Sequence, residues 1–278
     1  MKKLIITLFL IPFTLLSQKV GNDDITIFDD SVLSIINKNA KIEILADSFI
    51  VAEGPLWDSD KGRLIFTDVR QNKIFTWDEK SGIKDYISPS GSTGYAPSFS
   101  EGGIGANGLA FDENGNIILC QHGDRRLALT LNLSSKNPKF ITIVDNYKGK
   151  RFNSPNDLAI SKNGDIYFTD PPYGFKNFSD RYREIDFNGV YKYSKDGNLS
   201  LISGDMSRPN GIALSLDEKY IYVNNSDPKN DPKILRFNTS NFEEKLFFDG
   251  TELSEKYPGG FDGLKVHSSG NIFTTGPN

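Results

Sequence analysis

Five oxygen-bearing side chains recur along the chain at intervals of 54, 49, 54 and 52 residues: Glu53, Asn107, Asn156, Asn210 and Asp262. Each precedes a short apolar run, as in "EGPLW", "NGLAF", "NDLAI", "NGIAL" and "DGLKV". Two carboxylates and three amide carbonyls brought to one place would suit a hard cation that takes about six to eight oxygens. Ca2+ fits such a donor set best, with Mg2+, Mn2+ or Zn2+ as alternatives. A closed Cys/His zinc site cannot be assembled, because the chain has one cysteine, Cys120, and two histidines, His122 and His267. Asn-Gly and Asp-Gly also serve as ordinary turn pairs chosen for positive φ. Five in register, with Glu in the first where turn chemistry gains nothing, favour a shared site.

Positioning these groups requires a repeat. Each of the five segments reads as an apolar strand, a polar turn and a second apolar strand. Further strand pairs are visible at 73–87, 189–202 and 233–248, while long helical periodicity is absent. Units of this length accommodate four-stranded propeller blades, which need roughly 40–50 residues, with loops to spare. The expected fold is all-β, a β-propeller. Its first strands would run beside the central channel and carry the five oxygen donors to a common ring. Residues 41–49, "KIEILADSF", are expected as a last blade strand supplied by the N-terminus to close the ring. Asn278 falls two strands into the fifth repeat, so the chain is expected to be a C-terminally truncated piece of a longer propeller.

At 278 residues, with 37% apolar and 12% aromatic residues, the chain has enough apolar material for one large domain. A net charge of −4 with dispersed Lys and Arg leaves no basic stripe, which excludes nucleic acid as an expected partner. Lys2 and Lys3 precede 13 mostly apolar residues, 4–16, too short for a membrane span and suited to a secretory signal. The expected organisation is a signal peptide at 1–18, a lead-in at 19–40 and a propeller at 41–278. The mature protein is expected in the periplasm or outside the cell, without stable membrane insertion. The sequence does not specify an oligomeric state.

The stretches "AEGPLW", "RFNSPNDLAISKNGDIYFTDPPYG", "RPNGIALSLDEKYIYVNNSD" and "GGFDGLKVHSSGNIF" resemble the senescence marker protein/gluconolactonase/luciferin-regenerating enzyme family, particularly bacterial gluconolactonase-like members. The resemblance runs from about residue 40 onward. It implies a six-bladed propeller with an axial divalent metal and hydrolysis of a sugar lactone to the aldonic acid. It makes Glu53, Asn210 and Asp262 metal ligands, Asn156 a fourth ligand or a substrate contact, and Asn107 a substrate residue. "CQHGDRRL" matches a family segment in which Gln121 replaces the usual Glu.

A metal-bound carbonyl would need water activated by a carboxylate. Asp262 is the first candidate base and Asp157 the second, although Asp157 could equally cap turn amides. His122 is a candidate for binding hydroxyls or shuttling protons. Arg125 and Arg126 are candidates for substrate contact, or else lie in a solvated loop. Tyr173 and Phe175 could wall a sugar ring. Asp68 and Asp170 read as strand-end turn fixers. The Gly- and Ser-rich stretch 88–108 would lie beside the pocket mouth as a lid or a tolerated insertion. Rival readings are another esterase or a phosphotriesterase on the same site, or a non-catalytic calcium- or protein-binding propeller.

Overall fold

β-Branched and aromatic residues alternating with polar ones between Gly- and Asp-containing turns form the strands of this protein. A computed structural model describes residues 25–97, 103–131, 138–176, 181–227, 229, 231–257 and 259–276. The first antiparallel sheet comprises β1 (Ala52–Asp58), β2 (Arg63–Asp68), β3 (Lys73–Asp78) and β4 (Gly82–Ile87), in that order. The second comprises β5 (Ala106–Phe111), β6 (Ile117–Gln121), β7 (Arg126–Thr130) and β8 (Phe140–Val144). A small hairpin, β9 (Asn146–Tyr147) and β10 (Lys150–Arg151), leads into the third: β11 (Leu158–Ile160), β12 (Ile166–Asp170), β13 (Gly189–Tyr193) and β14 (Leu199–Ser203). The fourth holds β15 (Pro209–Leu214), β16 (Tyr220–Asn225), β17 (Lys233–Asn238) and β18 (Glu244–Asp249). After a short helix, α1 (Thr251–Lys256), β19 (Leu264–Val266) and β20 (Ile272–Thr274) form a two-stranded sheet. The architecture is an all-β propeller with four complete blades and two strands of a fifth among the described residues.

The two-residue period of a strand explains how the blades stack. On β6, Ile117 and Leu119 pack with Ile65, Ile74 and Leu109, whereas Ile118 and Cys120 turn the other way onto Leu158, Phe168 and Tyr191. On β12, Ile166 and Phe168 face the second blade while Tyr167 joins Ile212, Ile221 and Val223 of the fourth. Both strands are therefore buried on both faces. Each fully buried Ile, Leu or Phe in these seams contributes about 1.5–3 kcal/mol. β18, the outermost strand of its sheet, is exposed along its whole length.

The chain forms two units, Met1–Ser48 and Phe49–Asn278, and among the described residues the strands lie in the second. The described part of the first unit holds one 3-10 helix, Asp30–Ser34, capped by the Asp29 carboxylate, which accepts from the Ser31 N–H at 2.8 Å. The expected closing strand at 41–49 is not formed. A strand needs a hydrogen-bonding pattern along its length, and residues 41–49 carry none. The expected signal at 1–18 lies outside the described residues. Among the described residues, no helix is long and apolar enough to cross a membrane.

Candidate active site

The five inner strands start at one end of the channel, and residues at or just before their starts form the site. Glu53, Asn107 and Asn210 sit at the starts of β1, β5 and β15, where pairing with the second strand slips between Glu53 and Leu56, Ala106 and Leu109, and Pro209 and Ile212. Such bulges re-aim side chains and recur beside active sites. Asn156 and Asp262 lie two residues before β11 and β19, anchored by Asn156 N–H to Thr169 O at 2.8 Å and Asp262 N–H to Thr275 O at 3.1 Å.

Backbone contacts join one blade's ring residue to the next. Gly108 N–H donates to Asn156 O at 2.7 Å, and Gly211 N–H donates to Asp262 O at 2.9 Å. The Thr67 and Thr169 hydroxyls donate to Asn107 O at 3.2 Å and Asn210 O at 2.7 Å. A β-carbon on Gly108 would lie 2.7 Å from Asn156 O, and one on Gly211 would lie 2.3 Å from Asp262 O. Neither glycine has positive φ. Close backbone approach between blades, rather than the turn geometry the Asn-Gly pair first suggests, is what requires glycine here.

Glu53, Asn107, Asn156 and Asn210 line two cavities at once. One, of about 310 Å3, is also lined by Asp262, His122, Tyr173, Arg70 and Arg208. The other, of about 270 Å3, is lined by Asp157, Lys265 and Phe273. The ring thus forms a floor between a mouth and a lower compartment.

Burial pushes the Glu53 carboxyl up to about 8, helped by the charges of Asp262 and Asp157 and by a hydrogen bond shared with Asp262. Burial likewise raises Asp262, as does Asp157, while an Asn210 hydrogen bond opposes the rise. Two carboxylates facing each other in a half-buried place need a proton or a cation between them. Among the described residues no cluster of three or more His, Cys, Asp and Glu side chains gathers, so the donor set is the carboxylate pair plus neutral amides. That set fits a hard divalent cation held by Glu53, Asn156, Asn210 and Asp262.

His122 lies against the mouth. Its Nδ1 meets Gly103 O at 3.2 Å, and because a carbonyl only accepts, Nδ1 carries the hydrogen. Nε2 is then a bare acceptor and has no hydrogen-bond partner. Burial pushes the imidazole down to about 4, so it is neutral at pH 7. The half-buried Tyr173 bonds Ser226 and Asn210 through its hydroxyl, and burial raises its pKa.

Several expected site residues lie elsewhere. Asp157 lines the lower compartment, accepts from Ile212 N–H at 3.3 Å and pairs with Lys265 Nζ at 3.1 Å, which ties the third blade to the fourth and fifth. Arg125 is neither at the mouth nor solvated. It is buried, donating to Phe152 O, to Tyr182 O at 3.0 Å, to Arg151 O at 3.3 Å and to Glu184 at 3.3 Å. Phe175, also buried, lies under its guanidinium. Arg126 is buried over the Tyr95 ring and bonds Gln121 Oε1 at 2.7 Å. Gln121 donates in turn to Ser90 O at 2.7 Å, so this position uses an amide that both donates and accepts. Asp68 and Asp170 hold the chain that enters each blade's first strand: Asp68 accepts from Ile50 N–H at 2.8 Å, and Asp170 from Asn153 N–H at 2.8 Å and Ser154 N–H at 2.7 Å. From the loop at 88–108, Gly103 reaches the mouth, and residues 98–102 lie outside the described residues.

Sequence reasoning missed Arg70 and Arg208. Each stands two residues outside the repeated segments, after Asp68 and before Asn210, so aligning the repeats passed them by.

Residues 51–278 match the family described as the SMP-30/Gluconolactonase/LRE-like region. A gluconolactonase of Zymomonas mobilis is 35% identical over 266 residues, covering 91% of this chain and 72% of that protein. Two solved structures share the fold. A gluconolactonase from Xanthomonas campestris superposes with a TM-score of 0.62 at 23% identity, over 84% of this chain and 85% of that one. The calcium-binding protein regucalcin from Agrobacterium tumefaciens gives 0.61 at 17% identity, over 84% and 70%. With its inner-strand ring, bulges and paired carboxylates, the chain belongs to the SMP-30/gluconolactonase/LRE-like family.

Proposed function

We propose that this protein is a metal-dependent lactonase that opens a sugar lactone to the aldonic acid, with Ca2+ as its cation. The observation that carries the reading is the Glu53–Asp262 carboxylate pair among the ring amides, at the floor of a mouth lined with hydrogen-bonding groups. Gluconolactonase relatives support lactone substrates. The family resemblance supports a six-bladed propeller, and the apolar segment at 4–16 supports export to the periplasm or beyond.

Glu53, Asn156, Asn210 and Asp262 would hold the cation. Once bound, it would polarise the lactone carbonyl and offset the charge developing on its oxygen. Asp262, on the mouth side, takes a proton from the attacking water at a carboxylate oxygen. Water oxygen bonds to the carbonyl carbon, the ring C–O bond breaks, and the same proton passes from Asp262 to the departing ring oxygen. A carboxylate can take the water's proton and return it to the leaving oxygen, which suits both halves of that exchange. Neutral His122 accepts a hydrogen bond from a substrate hydroxyl at Nε2, while Asn107 and the Tyr173 hydroxyl orient the ring. Asp157 serves the structure, holding Lys265 below the floor.

The test is a panel of lactones, simple esters and phosphotriesters given to the calcium-loaded full chain, beside Glu53→Gln and Asp262→Asn. Lactone turnover that drops at least about a hundredfold in both variants is expected. Turnover of phosphotriesters alone, or variants as active as the parent, would overturn the proposal.

A further inference from the structure

The second strand of a blade packs beside the first strand of the next, and its next-to-last residue is placed to grip the ring there. That position holds Thr67 on β2, Cys120 on β6, Thr169 on β12 and Asn224 on β16. The two threonines each donate once, Thr67 to Asn107 O and Thr169 to Asn210 O. In the fourth blade the donor is an amide, and the residue it serves is Asp262. Asn224 Nδ2 donates to Asp262 O at 2.8 Å, to Gly263 O at 3.3 Å and to Thr274 Oγ1 at 2.8 Å. Backbone carbonyls only accept, so the nitrogen of this amide, and not its oxygen, must face them.

An amide reaches one atom further than a hydroxyl and carries two hydrogens. Asn224 therefore holds two successive carbonyls where a threonine could hold one. Asp262 O also accepts from Gly211 N–H at 2.9 Å, and Asp262 N–H donates to Thr275 O at 3.1 Å, so the backbone of this residue is held from three sides. The arrangement has a cost, since Asn224 is fully buried and its Oδ1 has no hydrogen-bond partner among the described residues. Asp262 is also the ring residue of which most is asked, as cation ligand and as proton acceptor. Resting on the lactonase reading above, we infer that Asn224 is a positioning residue, acting through the backbone of Asp262 to aim its carboxylate at the cation and the attacking water.

Threonine and valine have nearly the same shape, so Asn224→Thr compared with Asn224→Val isolates the donor. Both variants lose the amide and leave the same space, and only threonine can donate to Asp262 O, as it does to ring carbonyls in the first and third blades. With the full chain, calorimetric Ca2+ binding should weaken about tenfold in Asn224→Val and recover in part in Asn224→Thr. At saturating Ca2+, kcat for D-glucono-1,5-lactone should follow the same order with KM nearly unmoved. A role in folding alone would lower the melting temperature and leave Ca2+ affinity and kcat equal in the two variants, which overturns the inference. Should Asn224→Val not fold, Thr274→Val at an exposed position of β20 removes the third acceptor of the same amide; weaker Ca2+ binding then supports the inference and unchanged binding overturns it. A parent chain that binds Ca2+ without turning over lactone sinks the lactonase reading alone, and Ca2+ affinity then decides the role of Asn224. One that turns over lactone without binding Ca2+ leaves kcat to decide it, and one that does neither overturns both.

Discussion

Cation binding should release a proton. Glu53 is pushed up to about 8, chiefly by burial and then by Asp262, so in the cation-free protein it is about nine-tenths protonated at pH 7. A carboxyl must be ionised to hold a metal, so one cation should displace about 0.9 proton at pH 7, about 0.5 at pH 8 and about 0.1 at pH 9. Apparent affinity should accordingly rise nearly tenfold from pH 6 to pH 7 and level off above about pH 8. The assay is calorimetric titration of Ca2+ into chelator-stripped protein in buffers of differing ionisation enthalpy, where the slope of observed heat gives the protons released. The sign carries over to stability. Glu53 has a folded pKa above its ordinary 4.5, so its contribution is fully present below about 4.5 and is lost as pH rises toward about 8. Cation-free protein should therefore lose melting temperature across that window, and Ca2+ should restore it. A slope near zero at pH 7 would show that the carboxylate pair holds no proton for the cation to replace, refuting the reasoning.

Other outcomes follow from the same geometry. Gly211→Ala places a β-carbon 2.3 Å from Asp262 O, against backbone that cannot yield, and should cost about 3 kcal/mol in denaturant unfolding while weakening Ca2+ binding. Arg125→Met should cost about 3 kcal/mol or more, because it strands Glu184 and the carbonyls of residues 151, 152 and 182, and should leave KM unmoved; a raised KM with normal stability would return Arg125 to the substrate site. Asp157→Asn should lower stability by loosening Lys265 and slow turnover far less than Asp262→Asn does; the reverse order in steady-state assays would make Asp157 the base.

Much of the site was legible because a repeat converts weak local signals into one strong comparison. Taken singly, Asn156 or Asn210 reads as a turn residue, while alignment puts both in register with Glu53 and Asp262, and the inner strands carry them to one floor. The role of the following glycine was not legible, since contact between blades leaves no mark on local sequence. Arg125 misled for a related reason. A positive-φ turn between β6 and β7 directs its charge into a blade seam, although "DRR" reads locally as a solvated loop. Asp157 replaces the glycine of its neighbours, so its carboxylate occupies the seam and meets Lys265 from 108 residues away, a pairing that spacing alone does not announce. The stretch 41–49 has strand composition, and composition does not supply the hydrogen-bonding neighbour a strand needs.

The most direct test is hydrolysis of a sugar lactone by the full chain, followed as acid release before and after chelation. The account predicts turnover with one equivalent of Ca2+ bound, loss on chelation and recovery on re-addition. Turnover that survives complete removal of the cation, or none with the cation bound, would contradict it.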